Sequence, residues 1–530
     1  MNLFLLLSFS LCAVTSEAYN FLVVSPVFGY SHMKFMNKVA DTLANGGHNV
    51  TVLQIYLYEH FGVIRMAKNK NVEIRDYHGT QNSQSNENSA SDFKYMWNTE
   101  IINNPISGAI MTAPLLFEAM KPMCEKVLLD KELHEWILSK KFDGIISETF
   151  DFCGLYLGDH LKLNIIPMHS ATKSLASDYA IGETSALNFL PSMRANYASQ
   201  QTVIDRVSDI ISMPCQEIAI ARLFEKQYHH AHSLLNGDVR HWKEILQTAT
   251  FYFSNGNDYL AFPTPSLPKH IHIGGFTIDP PKSLKLDEEY DRILSLRQST
   301  VLISFGTVIQ SADMPDNFKE GIVKMLHNLP ETTFIWKYEV DDVDFANKLP
   351  KNVVLKKWLP QTALLSDSRL KLFITHGGLG STLELAYSGM PALMIPVFGD
   401  QLLNAKMLVR HGGAQSFDKY DLENAEKLTE AVRDLISNDE YQKNAHLVAD
   451  LLRNQPIDPK QNLLKHVEFA ARFGRVESLE PYNVHYNFIQ YYMLDAVLII
   501  ISVILFVLYL THLIIKIVFP FIFKPKSKKE

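Results

Sequence analysis

A chain of 530 residues is longer than one hydrophobic core organises, so two domains plus accessory segments are expected. With 47% hydrophobic and 20% charged residues, it is neither a disordered chain nor a multi-span membrane protein. A net charge of −7, without a basic stripe outside the extreme C-terminus, excludes nucleic acid as a partner.

The first 18 residues, MNLFLLLSFSLCAVTSEA, form an apolar run too short to span a bilayer comfortably, ending in a small residue before a polar restart. This predicts a cleaved secretory leader. From Phe21 the order is strand (FLVVS), turn, amphipathic helix around residues 36–43, Gly46-Gly47 as a stop, then strand (VTVL), which spells a βα unit. Asn49-Val50-Thr51, the only glycosylation sequon, is expected to open a buried strand, which argues against occupancy. Residues 143–148 read as another apolar strand, followed by a helix and NIIP. Residues 185–245 read as helical throughout. Between 261 and 285 the chain turns rich in proline and glycine (FPTPSLPKHIHIGGFTIDPP), the composition of an interdomain linker.

Alternation then resumes: VLISF, TTFIWKY, VVLKKW, KLFITH and PALMIPV are strands separated by helical stretches, giving a second doubly wound parallel sheet to about residue 450. Residues 462–473 predict a last helix that crosses back to the first domain. Residues 496–515 are almost unbroken apolar sequence, long enough as a helix to cross a bilayer. Tyr482, Tyr486, Tyr491 and Tyr492 crowd one flank, and Lys524, Lys526, Lys528 and Lys529 follow the other. That asymmetry predicts a single-pass type I protein with its main body in the lumen and a cytosolic tail. Lys526 and Lys528 resemble the dilysine signal that returns such proteins to the endoplasmic reticulum. With Cys12 in the leader, Cys124, Cys153 and Cys215 allow one disulfide at most, and free buried thiols are expected. No zinc-type Cys/His spacing exists.

The stretch with most chemical content is WLPQTALLSDSRLKLFITHGGLGSTLELAYSGMPALMIPVFGDQ, residues 358–401. KLFIT delivers His376, and Gly377, Gly378 and Gly380 let the backbone turn into a helix whose free N–H groups and dipole suit a diphosphate. Ser381 and Thr382 add hydroxyls, Glu384 is placed to accept from ribose hydroxyls, Trp358 offers a stacking face and Gln361 an amide. W-x-x-Q, T-H-G-G, the helix glutamate and the terminal D-Q, in this order and spacing, resemble the donor-binding motif of the UDP-glycosyltransferases, which include the glucuronosyltransferases. The leader, His32 after the first strand, VLISFGT, IHIGGF, the membrane span and the basic tail extend the likeness over the chain.

The resemblance implies a GT-B fold: two Rossmann-like domains facing a cleft, residues 19–265 for the acceptor and 286–455 for the UDP-sugar. A 266–285 linker, a 456–494 return helix and juxtamembrane segment, a 495–517 membrane helix and a 518–530 tail complete the plan, after the 1–18 leader. By matching positions, Trp358, Gln361 and Lys337 would address uridine, His376, Gly378, Gly380, Ser381 and Thr307 the diphosphate, Glu384 the ribose, and Asp400 with Gln401 the sugar. Many animal relatives carry Asn where this chain has Gly380. His32 in GYSH would be the general base, oriented by an acid in a T-D-P-F type turn. Here the turn reads S-E-T-F-D, so Glu148 is favoured as the partner over Asp151.

The implied reaction is inverting transfer of a hexose from a UDP-sugar to a hydroxyl of a small lipophilic acceptor, of the conjugation type, with no metal or other cofactor required. Thr264 stands where glucuronosyltransferases commonly carry an arginine between two prolines, which favours UDP-glucose over UDP-glucuronate. Acceptor choice is expected from the apolar, irregular regions 76–115 and 170–245. Asp341, Asp342 and Asp344 read as a solvated turn. A homo-oligomer is left open. The rival reading is a membrane-tethered UDP-binding regulator that has lost turnover through Glu148 and Gly380.

Overall fold

The computed structural model describes residues 18–27, 29–56, 65–78, 96–98, 117–118, 120–183, 190, 202–279 and 285–522. The expected leader, the basic tail, most of the 76–115 region and 280–284 of the linker lie outside them. The chain forms two compact units, Met1–Leu479 and Glu480–Glu530.

The larger unit holds two parallel sheets. In the first, β1 (Asn20–Val27), β2 (Asn49–Tyr56), β3 (Val72–His78), β4 (Gly144–Glu148), β5 (Ile165–His169), β6 (Tyr252–Ser254) and β7 (His270–His272) lie in the order β3-β2-β1-β4-β5-β6-β7. In the second, β8 (Ser299–Ser304), β9 (Thr332–Lys337), β10 (Val353–Lys356), β11 (Leu370–Thr375), β12 (Ala392–Met394) and β13 (Ala414–Ser416) follow β10-β9-β8-β11-β12-β13. Every pairing is parallel. Helices must therefore cover both faces, which is why the central strands are continuous apolar runs: Phe21–Val24 and Val301–Ile303 are buried throughout. Strand order reverses between β1 and β4, and again between β8 and β11. At such switch points the loops at the strands' carboxyl ends splay apart and open a crevice.

The helices that matter below are α1 (Tyr30–Asn45), α2 (Cys153–His160), α3 (Val203–Leu234), α4 (Leu379–Ser388), α5 (Gln401–Val409), α6 (Pro459–Phe473) and α7 (Leu494–Ile522). Helix α1 packs Phe35, Met36, Val39, Ala40 and Leu43 onto the first sheet beside Leu463, Val467 and Ala470 of α6. The chain thus returns to the first sheet after finishing the second. Asp458 caps α6 by accepting from the Lys460 and Gln461 amides, and Asn462 Nδ2 donates to the His272 carbonyl at 3.0 Å.

The structure departs from the sequence reading in four places. Strand β7 lies inside the stretch read as linker: HIH pairs with β6, and its side chains bond into the first half. Cys124 and Cys153 form a disulfide with Cα atoms 5.5 Å apart, leaving Cys215 as the free thiol among the described cysteines. Sequence separation alone could not show that α2 begins beside Cys124. Asn49 is exposed at the head of β2, and burial begins at Val50. Finally, Met96 and Trp97, from the first half of the chain, are buried in the second half's core, with Trp97 Nε1 donating to the Gln310 carbonyl at 3.1 Å. Asp342 caps the helical turn Val343–Ala346 and Asp341 pairs with Lys357, so the acidic run is a surface turn as read.

The smaller unit is dominated by α7, whose segment Leu494–Phe519 contains an 18-residue stretch with a mean hydropathy of 2.8. At helical rise its 26 residues extend about 39 Å, enough to cross a hydrocarbon core of about 30 Å.

Candidate active site

The turn from β1 into α1 places His32 at the first switch point. Gly29, extended at φ −149°, stands at the helix N-cap, and its carbonyl accepts from the Met33 amide. His32 therefore lies in the first turn, at the carboxyl end of the sheet. Next to it in space, β4 ends in Glu148, whose side chain is 1% exposed against 21% for His32. His32 Nδ1 meets Glu148 Oε1 at 2.8 Å, so the ring proton sits on Nδ1 and the lone pair on Nε2. Ser170, just past β5, donates its hydroxyl and its amide to the same carboxylate oxygen and holds Oγ 3.0 Å from His32 Nδ1. Burial pushes the imidazole's proton affinity down, but the Glu148 charge and hydrogen bond outweigh it, and the net direction is up. For Glu148 burial works upward and His32 downward, with a net lowering that keeps it a carboxylate. Asp151, the alternative partner, instead accepts from the Cys153 amide at the start of α2, and burial lifts its carboxyl to about 6.

At the second switch point β11 ends and His376 follows it. Gly377 adopts φ +84°, a backbone that side chains resist, and Gly378 starts α4 without a side-chain cap. First-turn N–H groups are therefore turned to the cleft. The His376 ring is wedged between two glycines, since a Cβ on Gly306 or on Gly378 would sit 2.7 Å from it. Burial, with Lys337 nearby, lowers His376 to about 4. With burial and Lys337 acting in the same direction, the ring is a neutral hydrogen-bonding group at physiological pH. Lys337 Nζ donates to the Gly306 carbonyl at 2.7 Å and to Glu339 at 3.0 Å, and lies 5.9 Å from the Trp358 ring. Thr307 follows Gly306 and is exposed.

Trp358 is 56% exposed, a large indole face left open beside the cleft. Glu384, inside α4, is buried and accepts from Gln361 Nε2 on Oε2 at 2.7 Å and from Thr362 Oγ1 on Oε1 at 3.0 Å. Gln361 also reaches Ser381 Oγ at 3.0 Å, whereas Gly380 has nothing within 4 Å of where a Cβ would stand. Asp400 and Gln401 begin α5. The Gln401 carbonyl is spent on the Val397 and Phe398 amides, so only its NH₂ remains to face a ligand. Asn404 ties Asp400 to the Gly377 carbonyl at 2.8 and 3.0 Å.

The two constellations face one crevice. Tyr30 meets Trp358 edge-on at 5.2 Å, Lys34 Nζ meets Glu384 Oε1 at 2.6 Å, and the Asp400 charge adds to the upward pull on His32. Reading the sequence alone missed Ser170, Lys34, Tyr30, Thr362 and Asn404. A serine closing a strand was a visible cue for Ser170, but nothing local distinguished Lys34 from a surface lysine.

Comparison with known proteins places this arrangement. The family model described as UDP-glucoronosyl and UDP-glucosyl transferase matches residues 21–529. UDP-glucuronosyltransferase 2B17 of Mus musculus is 26% identical over 538 residues, covering 99% of this chain and 98% of its own. UDP-glucuronosyltransferase 1A8 of Rattus norvegicus is 25% identical over 501 residues, covering 93% and 90%. Among solved structures, Os79 of O. sativa superposes with a TM-score of 0.56 at 16% identity, covering 85% of this chain and 99% of that one. The calicheamicin glycosyltransferase CalG4 gives 0.51 at 15%, covering 86% and 99%.

Proposed function

This chain belongs to the UDP-glucoronosyl and UDP-glucosyl transferase family and is a UDP-glycosyltransferase of GT-B fold, and from that premise we propose that it transfers glucose, with inversion, to a hydroxyl of a small apolar acceptor. The observation that carries the reading is the His32–Glu148 pair opposite the glycine-lined N-terminus of α4. The acceptor oxygen attacks the anomeric carbon while His32 Nε2 takes its proton. The bond to the β-phosphate oxygen breaks on the opposite face, and UDP leaves with that electron pair. Glu148 keeps the imidazole oriented and stabilises the imidazolium that forms. The departing diphosphate meets the first-turn N–H groups of α4, the neutral His376 and the Thr307 and Ser381 hydroxyls, while Trp358, Gln361 and Glu384 hold the nucleoside and Asp400 and Gln401 the sugar.

The choice of glucose rests on Thr264. The cation that reaches it, Lys173 at 3.2 Å, is held between the buried carboxylates of Asp178 (3.3 Å) and Glu183 (3.7 Å). Its charge is compensated there, so a donor carboxylate would find no surplus positive charge. Asp178, Glu183 and His270 have ligand-type atoms within 4.8 Å of one another, but Lys173 already supplies this group with its cation. The apolar α7 supports a membrane anchor, and the Cys124–Cys153 bridge fits an oxidising lumen, in keeping with a type I protein of the endoplasmic reticulum.

The test is UDP release by microsomes carrying the chain, given UDP-glucose or UDP-glucuronate with a panel of phenols and sterols. Release with UDP-glucose supports the reading, and release confined to UDP-glucuronate overturns the donor assignment. UDP binding without release from either would instead establish a silent nucleotide binder.

A further inference from the structure

Glu384 is the acid expected to hold the donor ribose, yet its partners come from both halves of the molecule. Thr362 and Gln361 reach it from their own half, and Lys34 reaches it from the first turns of α1, two residues beyond His32. The division between its oxygens is informative. Oε1 accepts from Lys34 and Thr362, whereas among the described residues Oε2 accepts from Gln361, an amide that can turn towards a base and hand its place to a ribose hydroxyl. Four residues earlier on α1, and so on the same helical face, Tyr30 meets Trp358 in an edge-type contact. One turn of helix therefore touches both walls of the nucleoside pocket and carries the imidazole between the two contacts.

We propose that Lys34 is a donor-positioning residue supplied across the cleft: its ammonium fixes Glu384 through Oε1, leaves Oε2 for the ribose, and so ties nucleotide binding to the placement of His32. The inference rests on the reading of Glu384 as the ribose acid. Lys34 is well suited to it. Its side chain is 35% exposed, so it reaches from the cleft rim, while Glu384 at 5% cannot find a substitute cation in solvent. Burial tends to discharge Lys34, but Glu384 outweighs it and raises its proton affinity, so the ion pair persists at neutral pH.

The experiment is calorimetric titration of UDP into the full-length chain in detergent, for the wild type, Lys34→Met, Lys34→Arg, Glu384→Gln and the Lys34→Met/Glu384→Gln double variant. Lys34→Met is expected to weaken UDP about tenfold, the scale of one charge-assisted hydrogen bond. Lys34→Arg should recover most of that loss, and the double variant should bind no more weakly than the weaker single one. Donor KM should rise in Lys34→Met while acceptor KM and the acid limb of the kcat profile stay in place, as suits a positioning residue rather than a base. UDP affinity within twofold of wild type in Lys34→Met, tighter binding, or losses that multiply in the double variant would overturn the proposal. Failure of the wild type to bind UDP would instead sink the functional reading beneath it.

Discussion

His32 and His376 each follow a strand beside a switch point, and each leans into the same crevice, yet their electrostatics run in opposite directions. Beside His32 a buried carboxylate, Glu148, outweighs desolvation and draws the imidazole's proton affinity up. Beside His376 no acid among the described residues offsets burial, Lys337 adds a like charge, and the ring falls to about 4. A strand-end histidine thus has no role of its own; the group buried next to it decides whether it exchanges protons or merely donates a hydrogen bond. The glycines differ in the same way. A Cβ on Gly29, in ordinary extended backbone, would stand 3.3 Å from the His32 ring, whereas one on Gly306 or Gly378 would come within 2.7 Å of the His376 ring.

The contrast can be broken most directly at the base. His32→Ala should lower kcat by about 10⁴-fold with UDP affinity intact, the upper range for a positioned general base, and His376→Ala should show the reverse pattern, weaker UDP binding with a smaller loss in kcat. Retained turnover in the first variant would mean that the two histidines had been assigned the wrong way round. Glu148→Gln should cost about 10³-fold in kcat and also move the pH profile. Because Glu148 raises His32, the active neutral base is lost as pH falls through a value above the ordinary 6.5, and removing the carboxylate shifts that acid limb to lower pH. A limb that stays put in kcat/KM would exclude His32 as the titrating group.

The disulfide sharpens the comparison by belonging to one half only. Cys124→Ser should reduce stability by about 3 kcal/mol in denaturant titration, the loop-entropy scale, with UDP affinity per folded molecule unchanged. Gly306→Ala places a Cβ against the His376 ring at a position with φ +94° and should weaken UDP about tenfold, read by calorimetry. The smallest effect is expected at Gly380→Asn, where the space is open and an added amide near the diphosphate should tighten UDP about threefold. A loss there would show that the N-terminus of α4 is already filled.

Much of this architecture was legible along the chain because parallel strands buried on both faces leave long apolar runs, and the helices between them repeat at a different period. The clustering of the residues from Trp358 to Gln401 was legible for a related reason: strand, glycine turn and helix are contiguous in sequence, so the stretch carries its own geometry. His32 and Glu148 are 116 positions apart, and the choice between Glu148 and Asp151 needed the end of β4 in space. The backbone there delivers Glu148 to the imidazole and turns Asp151 to the Cys153 amide. Strand β7 escaped notice because three residues with prolines and glycines around them have no readable period.

What the amino-acid order determined by itself is whatever depends on neighbours within a turn or a strand: two α/β halves, a glycine-lined helix start, and an apolar segment long enough for a bilayer. Only the tertiary structure decided the pairings that span the chain: Glu148 with His32, Cys124 with Cys153, Trp97 in the opposite core, and Lys34 on Glu384. The reason is physical. Local backbone preferences act over a few residues, whereas a charge, a thiol or an indole finds its partner only when the sheets have packed and water has left the space between them.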